Sequence, residues 1–153
     1  MALGANLGFA RHTICQALAL IQQHPLIQDF RSSSLYRTTP VSPLPQPDYI
    51  NAVCCFVTSL SAEFLFDFLQ QLEKLLGKQA KHRDAPRSID LDLLFYGHHT
   101  YHSEHLIVPH PRWQERLFVL RPLADLTDDF DIENKLRSFP NPNQEQVICV
   151  SKS

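Results

Sequence analysis

The stretch "YINAVCCFVTSLSAEFLFDFLQQLEKLLG" (residues 49–77) predicts a strand followed directly by a helix. Its first part, "YINAVCCFVTSL", is largely apolar, which is typical of a buried strand. Ser61 is a suitable N-cap, and the apolar residues after it fall on one broad helical stripe that ends at Gly77. The stripe consists of Phe64, Leu65, Phe68, Leu69, Leu72 and Leu76.

Upstream of this unit, the sequence predicts a short first strand, a helix over residues 9–24 and a strand over residues 26–37. The helix is indicated by the spacing of Ile14, Ala17, Leu18 and Ile21, and Pro25 ends it. The next segment, "TTPVSPLPQPD" (38–48), contains four prolines and is therefore neither a helix nor a central strand.

Downstream, "RSIDLDLLFYG" (87–97) predicts a strand because apolar residues alternate from Ile89 to Phe95. The segment "VPHPRWQERLFVLRPLADL" (108–126) predicts one or two short helices, and the chain is weakly patterned from about residue 128. The order is βαββαβ followed by C-terminal additions. We therefore expect a single α+β domain over residues 1–153, with a ferredoxin-like antiparallel sheet and helices on one face.

The composition is ordinary for a globular chain of 153 residues, with 44% hydrophobic and 20% charged residues. A formal net charge of −2 argues against a nucleic-acid partner. No apolar run has the length of a membrane span, so we expect no membrane partner. The four cysteines contain no CxxC pair, and we expect them to be reduced, with the cytoplasm as the compartment.

Two aspartates, Asp90 and Asp92, lie on one face of the last predicted strand, roughly 7 Å apart along the chain. Taken alone, such a pair is more often a solvated sheet face than a metal site. Cations cluster just upstream, namely Lys78, Lys81, His82, Arg83 and Arg87. Paired carboxylates beside cations suit a polyphosphate bridged by Mg²⁺. The chain has no GxxxxGK[ST] motif, so a P-loop is excluded.

Two further features are open to a structural and a functional interpretation. One is a cluster of cationic side chains at a predicted helix start, which are either surface charges or additional hydrogen-bond donors to phosphate: His110, Arg112 and Arg116. Asn51 is an amide within an apolar strand, and it needs hydrogen-bond partners. A bond to a neighbouring strand is the simpler explanation for Asn51, and a flat heterocycle with polar edges is the other.

The chain resembles the 6-hydroxymethyl-7,8-dihydropterin pyrophosphokinases of folate biosynthesis. The resemblance runs through "LGANLG", "LYRTTPVSPLPQPDYINAV", "PRSIDLDLLFYG" and "VPHPRWQERLFVLRPL", and it covers roughly residues 3–126. It implies a ferredoxin-like fold, two Mg²⁺ ions, and transfer of diphosphate from ATP to the pterin hydroxymethyl group with release of AMP. It therefore implies a transferase whose partners are these two small molecules, and we expect a monomer.

The resemblance also implies roles for individual residues. Asp90 and Asp92 match the metal-binding pair, and Arg87, Arg116 and Lys78 complete the expected catalytic set. The expected nucleotide contacts are Gln70, Glu73, Ile89, Ile107 and His110. The expected pterin contacts are Thr38, Thr39, Val41, Tyr49, Asn51 and Phe118. Lys78 follows Gly77 where some members have arginine, and it offers a point charge in place of a bidentate fork.

Two alternatives to this function remain at the level of sequence. One is a Mg²⁺-dependent nucleotidyltransferase that uses the same aspartate pair and would release pyrophosphate. The other is a binding module without catalytic activity, which would bind its ligand equally well without Mg²⁺.

Overall fold

The computed structural model describes residues 1–40, 45–78, 87–141 and 145–151. Its elements, in chain order, are β1 (Ala2–Ala5), α1 (Ala10–Gln22), β2 (Ile27–Ser32), β3 (Leu35–Thr38), β4 (Tyr49–Thr58), α2 (Ala62–Leu75), β5 (Asp90–Asp92), β6 (Tyr101–His102), β7 (Ile107–Val108), a 3₁₀ turn (Trp113–Glu115), α3 (Leu117–Leu123), α4 (Phe130–Arg137) and β8 (Val147–Ser151). Within the described ranges, none of the helices has the length and apolar character needed to cross a membrane.

The main sheet is antiparallel and has the strand order β5-β1-β4-β3-β8, with β2 also paired to β4. The predicted α+β class is confirmed, and the predicted βαββαβ order is matched except that three strands instead of two separate α1 from α2. The single strand predicted over residues 26–37 was wrong, because the chain breaks into β2 and β3 at Ser33 and Ser34. The Ser33 side chain accepts a hydrogen bond from Val53 N at 2.9 Å, and its backbone N donates to Val53 O at 2.8 Å. Ser33 therefore marks the point on β4 where β2 ends and β3 takes over.

The main core lies between one face of the sheet and helices α1 and α2. Leu3 and Leu91 from the strands pack there with Ile14 from α1 and Leu69 from α2. The predicted cap of α2 is confirmed, since Ser61 Oγ accepts a hydrogen bond from Phe64 N at 3.3 Å. Phe64 itself is 68% exposed, so the buried stripe of this helix is narrower than the sequence pattern indicated.

A smaller core covers part of the opposite face of the sheet, where α3 packs. It contains Ala2, Val53, Leu94 and Val119, and Trp113 and other partly buried residues lie against it. The two helices of the core, α1 and α2, share one face as expected, and α3, which belongs to the C-terminal additions, packs on the other. The strand predicted over 87–97 is also shorter than expected, because β5 ends at Asp92. Of the next two residues, Leu93 is buried in the main core and Leu94 in the smaller core.

The C-terminal additions contain a helix, α4, and the edge strand β8, which pairs with β3. Neither element was predicted, because the sequence there has no clear apolar period. The strand brings the end of the chain alongside Thr38, whose Cα is in register with that of Val147. The C-terminal segment therefore lies next to the proline-rich connection.

Cross-strand register places a row of site residues on the face that α3 only partly covers. Gly4 of β1 is paired with Asp90 on one side and with Asn51 on the other, and Asn51 is paired with Tyr36 of β3. Because alternate residues of a strand share a face, Asp92 and Thr38 belong to the same face as this row.

Candidate active site

An open cleft of about 260 Å³ lies over this row. Its floor is the sheet, and residues from the 3₁₀ turn and the start of α3 form one wall. Nine residues predicted from the sequence line it, namely Thr38, Thr39, Tyr49, Asn51, Arg87, Asp90, Asp92, Arg116 and Phe118. The fold therefore brings residues 38–51, 87–92 and 116–118, which are separated in the sequence, into one cavity.

Asp90 lies between two cations at one end of the cleft. Its Oδ1 accepts a hydrogen bond from Lys78 Nζ at 2.8 Å, and its Oδ2 accepts one from Arg87 Nη1. Lys78 also forms an ion pair with Glu73, with 2.7 Å between Nζ and Oε2. Partial burial opposes the charge on Lys78, but these bonds to Asp90 and Glu73 outweigh it and raise the pKa of the ammonium group. Lys78 is therefore a stable cation at neutral pH.

Asp92 faces a second pair of nitrogen donors. Arg116 Nη1 donates to Asp92 Oδ2 at 3.1 Å, and His110 Nε2 lies 3.9 Å from the same oxygen. Burial, followed by repulsion from Asp90, raises the pKa of Asp92 above its ordinary value. The two nearby nitrogens therefore leave the negative charge of Asp92 incompletely compensated.

His110 is oriented by the backbone of the following turn. Its Nδ1 accepts a hydrogen bond from Arg112 N at 3.1 Å, so a neutral imidazole carries its proton on Nε2. Burial lowers the pKa of His110, and Arg116 adds to the effect, which favours that neutral form. The Nε2–H group is consequently a neutral donor beside Asp92, although His110 itself does not line the cleft.

Glu73 holds the aspartate strand to α2. It is buried, and its Oε1 accepts a hydrogen bond from Leu91 N at 2.7 Å while Oε2 pairs with Lys78. Leu91 stands between the two aspartates in the chain. Burial raises the pKa of the Glu73 carboxyl group despite these bonds. Glu73 lies beneath the cleft and positions both β5 and Lys78.

The other end of the cleft is less charged and partly aromatic. Asn51 is buried, and its Nδ2 donates to Thr38 Oγ1 at 2.7 Å on the neighbouring strand. This bond is the one that the simpler interpretation of Asn51 required. Tyr49 and Phe118 also line this end, and the guanidinium carbon of Arg116 lies 5.7 Å from the centre of the Phe118 ring.

Asn6 connects two loops at the rim of the cleft, and its role was missed from the sequence. Its Nδ2 donates to Gln46 Oε1 at 2.9 Å and to Pro47 O at 3.1 Å, and its Oδ1 accepts from Arg87 N at 2.8 Å. It is only 3% exposed. A polar residue directly after a buried strand was the available signal. Asn6 therefore fixes the end of the proline-rich connection relative to Arg87.

Several predicted nucleotide contacts lie outside this cleft. Gln70 lines a separate groove between α2 and residues 103–106. Ile89 is fully buried in the main core, and Ile107 is 42% exposed on β7. Val41, and the upstream cations Lys81, His82 and Arg83, lie outside the described residues.

The carboxylate pair fits a bound divalent cation. Among the described residues no group of three or more His, Cys, Asp or Glu side chains is arranged to hold a metal. A Mg²⁺ site of one or two protein carboxylates completed by phosphate oxygens and water does not require such a group. Burial and then repulsion from Asp90 raise the pKa of Asp92, so a cation bound here would stabilise its negative charge. Asp90 and Asp92 are the residues that would hold the ion.

An antiparallel α+β fold that holds paired carboxylates and surrounding cations in one cleft is an arrangement that suits an enzyme acting on a metal-bound polyphosphate. Residues 1–128 match the sequence model of 7,8-dihydro-6-hydroxymethylpterin-pyrophosphokinase, HPPK, and the chain belongs to this family.

Individual relatives agree with the family assignment. The chain is 40% identical over 133 residues to a 2-amino-4-hydroxy-6-hydroxymethyldihydropteridine pyrophosphokinase of Bacillus subtilis, covering 87% of this chain and 80% of the relative. It is 37% identical over 134 residues to the protein of the same name from Haemophilus influenzae, covering 88% and 84%. A folate synthesis bifunctional protein of Arabidopsis thaliana is 42% identical over 135 residues, which cover 88% of this chain but 28% of that longer protein.

Proposed function

We propose that this protein transfers diphosphate from ATP to the hydroxymethyl group of 6-hydroxymethyl-7,8-dihydropterin and releases AMP, in the biosynthesis of tetrahydrofolate. The observation that carries the proposal is the arrangement of one cleft with two chemically different ends. Asp90 and Asp92 with their cations form one end, and Asn51 with Thr38 forms the other. Family membership supports the same reaction.

At the charged end, the chain would bind the triphosphate through cations that now pair with carboxylates. Arg87 and Lys78 on Asp90, and Arg116 on Asp92, are within reach of phosphate oxygens placed over the pair. Two Mg²⁺ ions held by Asp90 and Asp92 would neutralise phosphate charge and orient the β-phosphorus for in-line attack. Arg87 and Arg116, which pair with the two carboxylates in the free protein, would donate to phosphate oxygens and stabilise charge on the transferring group and on the departing AMP.

At the other end, Asn51 and Thr38 would contact the polar edge of the pterin, and Tyr49 and Phe118 would contact its faces. The substrate hydroxyl would then point toward the phosphates across the row that contains Gly4. Positioning and charge stabilisation dominate phosphoryl-type transfer, so little covalent chemistry is required of the protein. In this scheme His110 would donate a hydrogen bond to a phosphate oxygen.

We also propose that the enzyme works as a monomer in the cytoplasm. The described residues of a single chain supply both the charged end and the heterocycle end of the cleft, which supports a monomer. All four cysteines are free, which suits a reducing compartment. Analytical ultracentrifugation at assay concentration tests the oligomeric state, and a stable dimer would contradict it.

The deciding experiment identifies the nucleotide product. ATP and Mg²⁺ are incubated with the enzyme, with and without the hydroxymethylpterin, and the products are separated by anion exchange. AMP that forms only when pterin and Mg²⁺ are both present supports the diphosphokinase. Pyrophosphate would instead show a nucleotidyltransferase, and ligand binding of equal strength without Mg²⁺ and without turnover would show a binding module.

A further inference from the structure

The C-terminal segment contributes a carboxylate to the cleft, although it lies beyond the 1–128 range that matches the family. Glu145 lines the same cavity as Thr38, Thr39 and Asn51. It comes two residues before Val147, the first residue of β8, whose Cα is in register with that of Thr38. The cleft of this chain therefore includes a side chain that the family match does not cover.

The backbone around Glu145 is held by hydrogen bonds on both sides. The Asn141 side chain accepts from Glu145 N at 2.7 Å and donates to Glu145 O at 3.0 Å. Thr39 N donates to Gln146 O at 3.3 Å, and Gln146 N donates to Thr39 Oγ1 at 3.2 Å. These contacts fix where the Glu145 side chain starts, next to the end of β3 that forms the heterocycle end of the cleft.

The charge of Glu145 is placed differently from that of the other carboxylates in the cleft. Asp90, Asp92 and Glu115 each form an ion pair with a lysine or an arginine. Within the described part of the chain, Glu145 forms no ion pair, and burial raises the pKa of its carboxyl group. A half-buried carboxylate without a cation is a strong acceptor that favours a ligand with N–H donors.

The position of Glu145 separates it from the phosphates. Four strand spacings lie between β5 and β8, which is about 19 Å, and Asn51 lies midway between them. A carboxylate at that distance adds little repulsion to a metal-bound triphosphate in salt. It instead borders the region where, in the proposed function, the heterocycle would lie.

We propose that Glu145 is a specificity-determining residue that accepts hydrogen bonds from the N–H edge of the substrate heterocycle. A 2-amino-4-oxopyrimidine ring presents an exocyclic amino group and an adjacent ring N–H, and the two oxygens of a carboxylate match that pair of donors. The inference rests on the proposed pterin substrate. Asn51 and Glu145 would then hold the ring from opposite sides, Asn51 from the centre of the sheet and Glu145 from its edge.

The test compares two ligands on three variants of the full chain. Wild type, Glu145→Gln and the control Glu133→Gln are saturated with a non-hydrolysable ATP analogue and Mg²⁺. Each is then titrated calorimetrically with 6-hydroxymethylpterin and with its 2-desamino analogue, which lacks the exocyclic amino group. Glu133 is a matched control because it is an exposed glutamate on α4, paired with Arg137 and away from the cleft.

We expect Glu145→Gln to weaken pterin binding by about 10- to 100-fold, the size of effect that accompanies loss of a charge-assisted hydrogen bond. Binding of the 2-desamino analogue should change far less, so the preference of the enzyme for the amino compound should shrink. Binding of the ATP analogue and the melting temperature should match wild type, because the hydrogen bonds described for the backbone of Glu145 and Gln146 do not involve the carboxylate. Glu133→Gln should behave as wild type with both ligands.

Two results would overturn the proposal. One is unchanged pterin affinity in Glu145→Gln and in a second variant, Glu145→Ala. The other is equal weakening of the pterin and its 2-desamino analogue, which would mean that Glu145 only supports the loop. Both results leave the proposed function intact if wild type still releases AMP. If wild type binds no pterin at all, the proposed function itself fails, and the role of Glu145 fails with it.

Discussion

Asp90 and Asn51 face one cleft from the two strands that flank β1, and each is paired across the sheet with Gly4. The two residues are therefore separated by two strand spacings, about 10 Å. That distance suits a substrate whose reactive hydroxyl reaches from a ring at Asn51 toward phosphates at Asp90. The glycine between them keeps the floor of the cleft low.

Gly4→Ala should damage the heterocycle end of the cleft selectively. A Cβ on residue 4 would lie 2.9 Å from Asn51 Oδ1, and Asn51 is buried and bonded to Thr38, so its amide must move and that bond must weaken. We expect the free energy of unfolding to fall by about 1–2 kcal/mol. Pterin affinity should fall, and affinity for an ATP analogue should stay near wild type.

Gly97→Ala provides the control for this variant. Gly97 has a φ of +54° and does not line the cleft, so alanine there should also reduce stability. Urea unfolding and calorimetric titration of both variants separate the two effects. Pterin affinity that falls equally in both would show that Gly4 acts through stability alone.

Asp92→Asn should abolish turnover and leave the free protein at least as stable as wild type at pH 7. The folded-state pKa of Asp92 is raised, first by burial and then by Asp90. The protonated carboxyl therefore stabilises the fold below its unfolded pKa of about 3.9, and that contribution is lost as the pH rises through the folded pKa. Urea unfolding in EDTA at pH 7 and pH 4 tests this, and a variant clearly less stable at pH 7 would contradict it.

Asp90→Asn should also abolish turnover, but it should behave differently in the stability test. Its carboxylate accepts from both Lys78 and Arg87, so the amide leaves two half-buried cations with weaker partners. We expect a small loss of stability at pH 7, on the order of 1 kcal/mol. The two cations that pair with Asp90, against the single arginine on Asp92, are the reason for the different expectation.

Arg87→Ala and Arg116→Ala should slow the transfer step by about 10²–10³-fold, as expected for loss of one donor to developing charge. Their loss should affect pterin affinity much less. Arg137→Ala is the control, since that arginine is exposed on α4 and pairs with Glu133. Rapid-quench single-turnover assays measure the step directly. An unchanged rate in either cleft variant would remove that arginine from the catalytic set.

The sequence predicted the parts of the fold that follow from strong local patterns. The strand and capped helix of residues 49–77 were placed correctly, because an apolar run, an N-cap serine and a terminal glycine agree there. The break at Ser33 was not predictable, since it depends on hydrogen bonds to Val53 of another strand. Strand β8 was missed because an edge strand buries little and needs no clear apolar alternation.

The residues of the candidate site could likewise be predicted only where a local pattern indicated them. Asp90 and Asp92 were found because carboxylates are unusual in a strand, and the cations near them followed from proximity in the sequence or from the family resemblance. The pairing of Arg116 with Asp92 could not follow from local pattern, because it depends on how α3 packs across the sheet. Glu145 gave no signal at all, since a lone glutamate in a polar segment is typical of exposed chain.

The side chains of Asn51 and Thr38 are joined by the 2.7 Å bond from Nδ2 to Oγ1. Two roles for Asn51 compete, either support of the strand or contact with the pterin. Thr38→Val removes the acceptor of this bond but leaves the amide of Asn51. Asn51→Leu removes the amide itself, so it should lose both the bond and any contact with the ligand.

We expect Thr38→Val to lower the free energy of unfolding by about 1 kcal/mol. Its reduction of pterin affinity should be smaller than that caused by Asn51→Leu. Asn51→Leu should reduce the free energy of pterin binding by about 1–3 kcal/mol for each polar group left unsatisfied. Its affinity for an ATP analogue should stay close to normal. The double variant should bind pterin more weakly than Asn51→Leu only by the direct contact of Thr38 with the ring, because the part of its role that acts through the amide is already gone. Titration of wild type, the two single variants and the double variant with an ATP analogue and then with pterin distinguishes the two roles of Asn51. Equal weakening of both ligands in Asn51→Leu would show that the amide only holds β4 against β3.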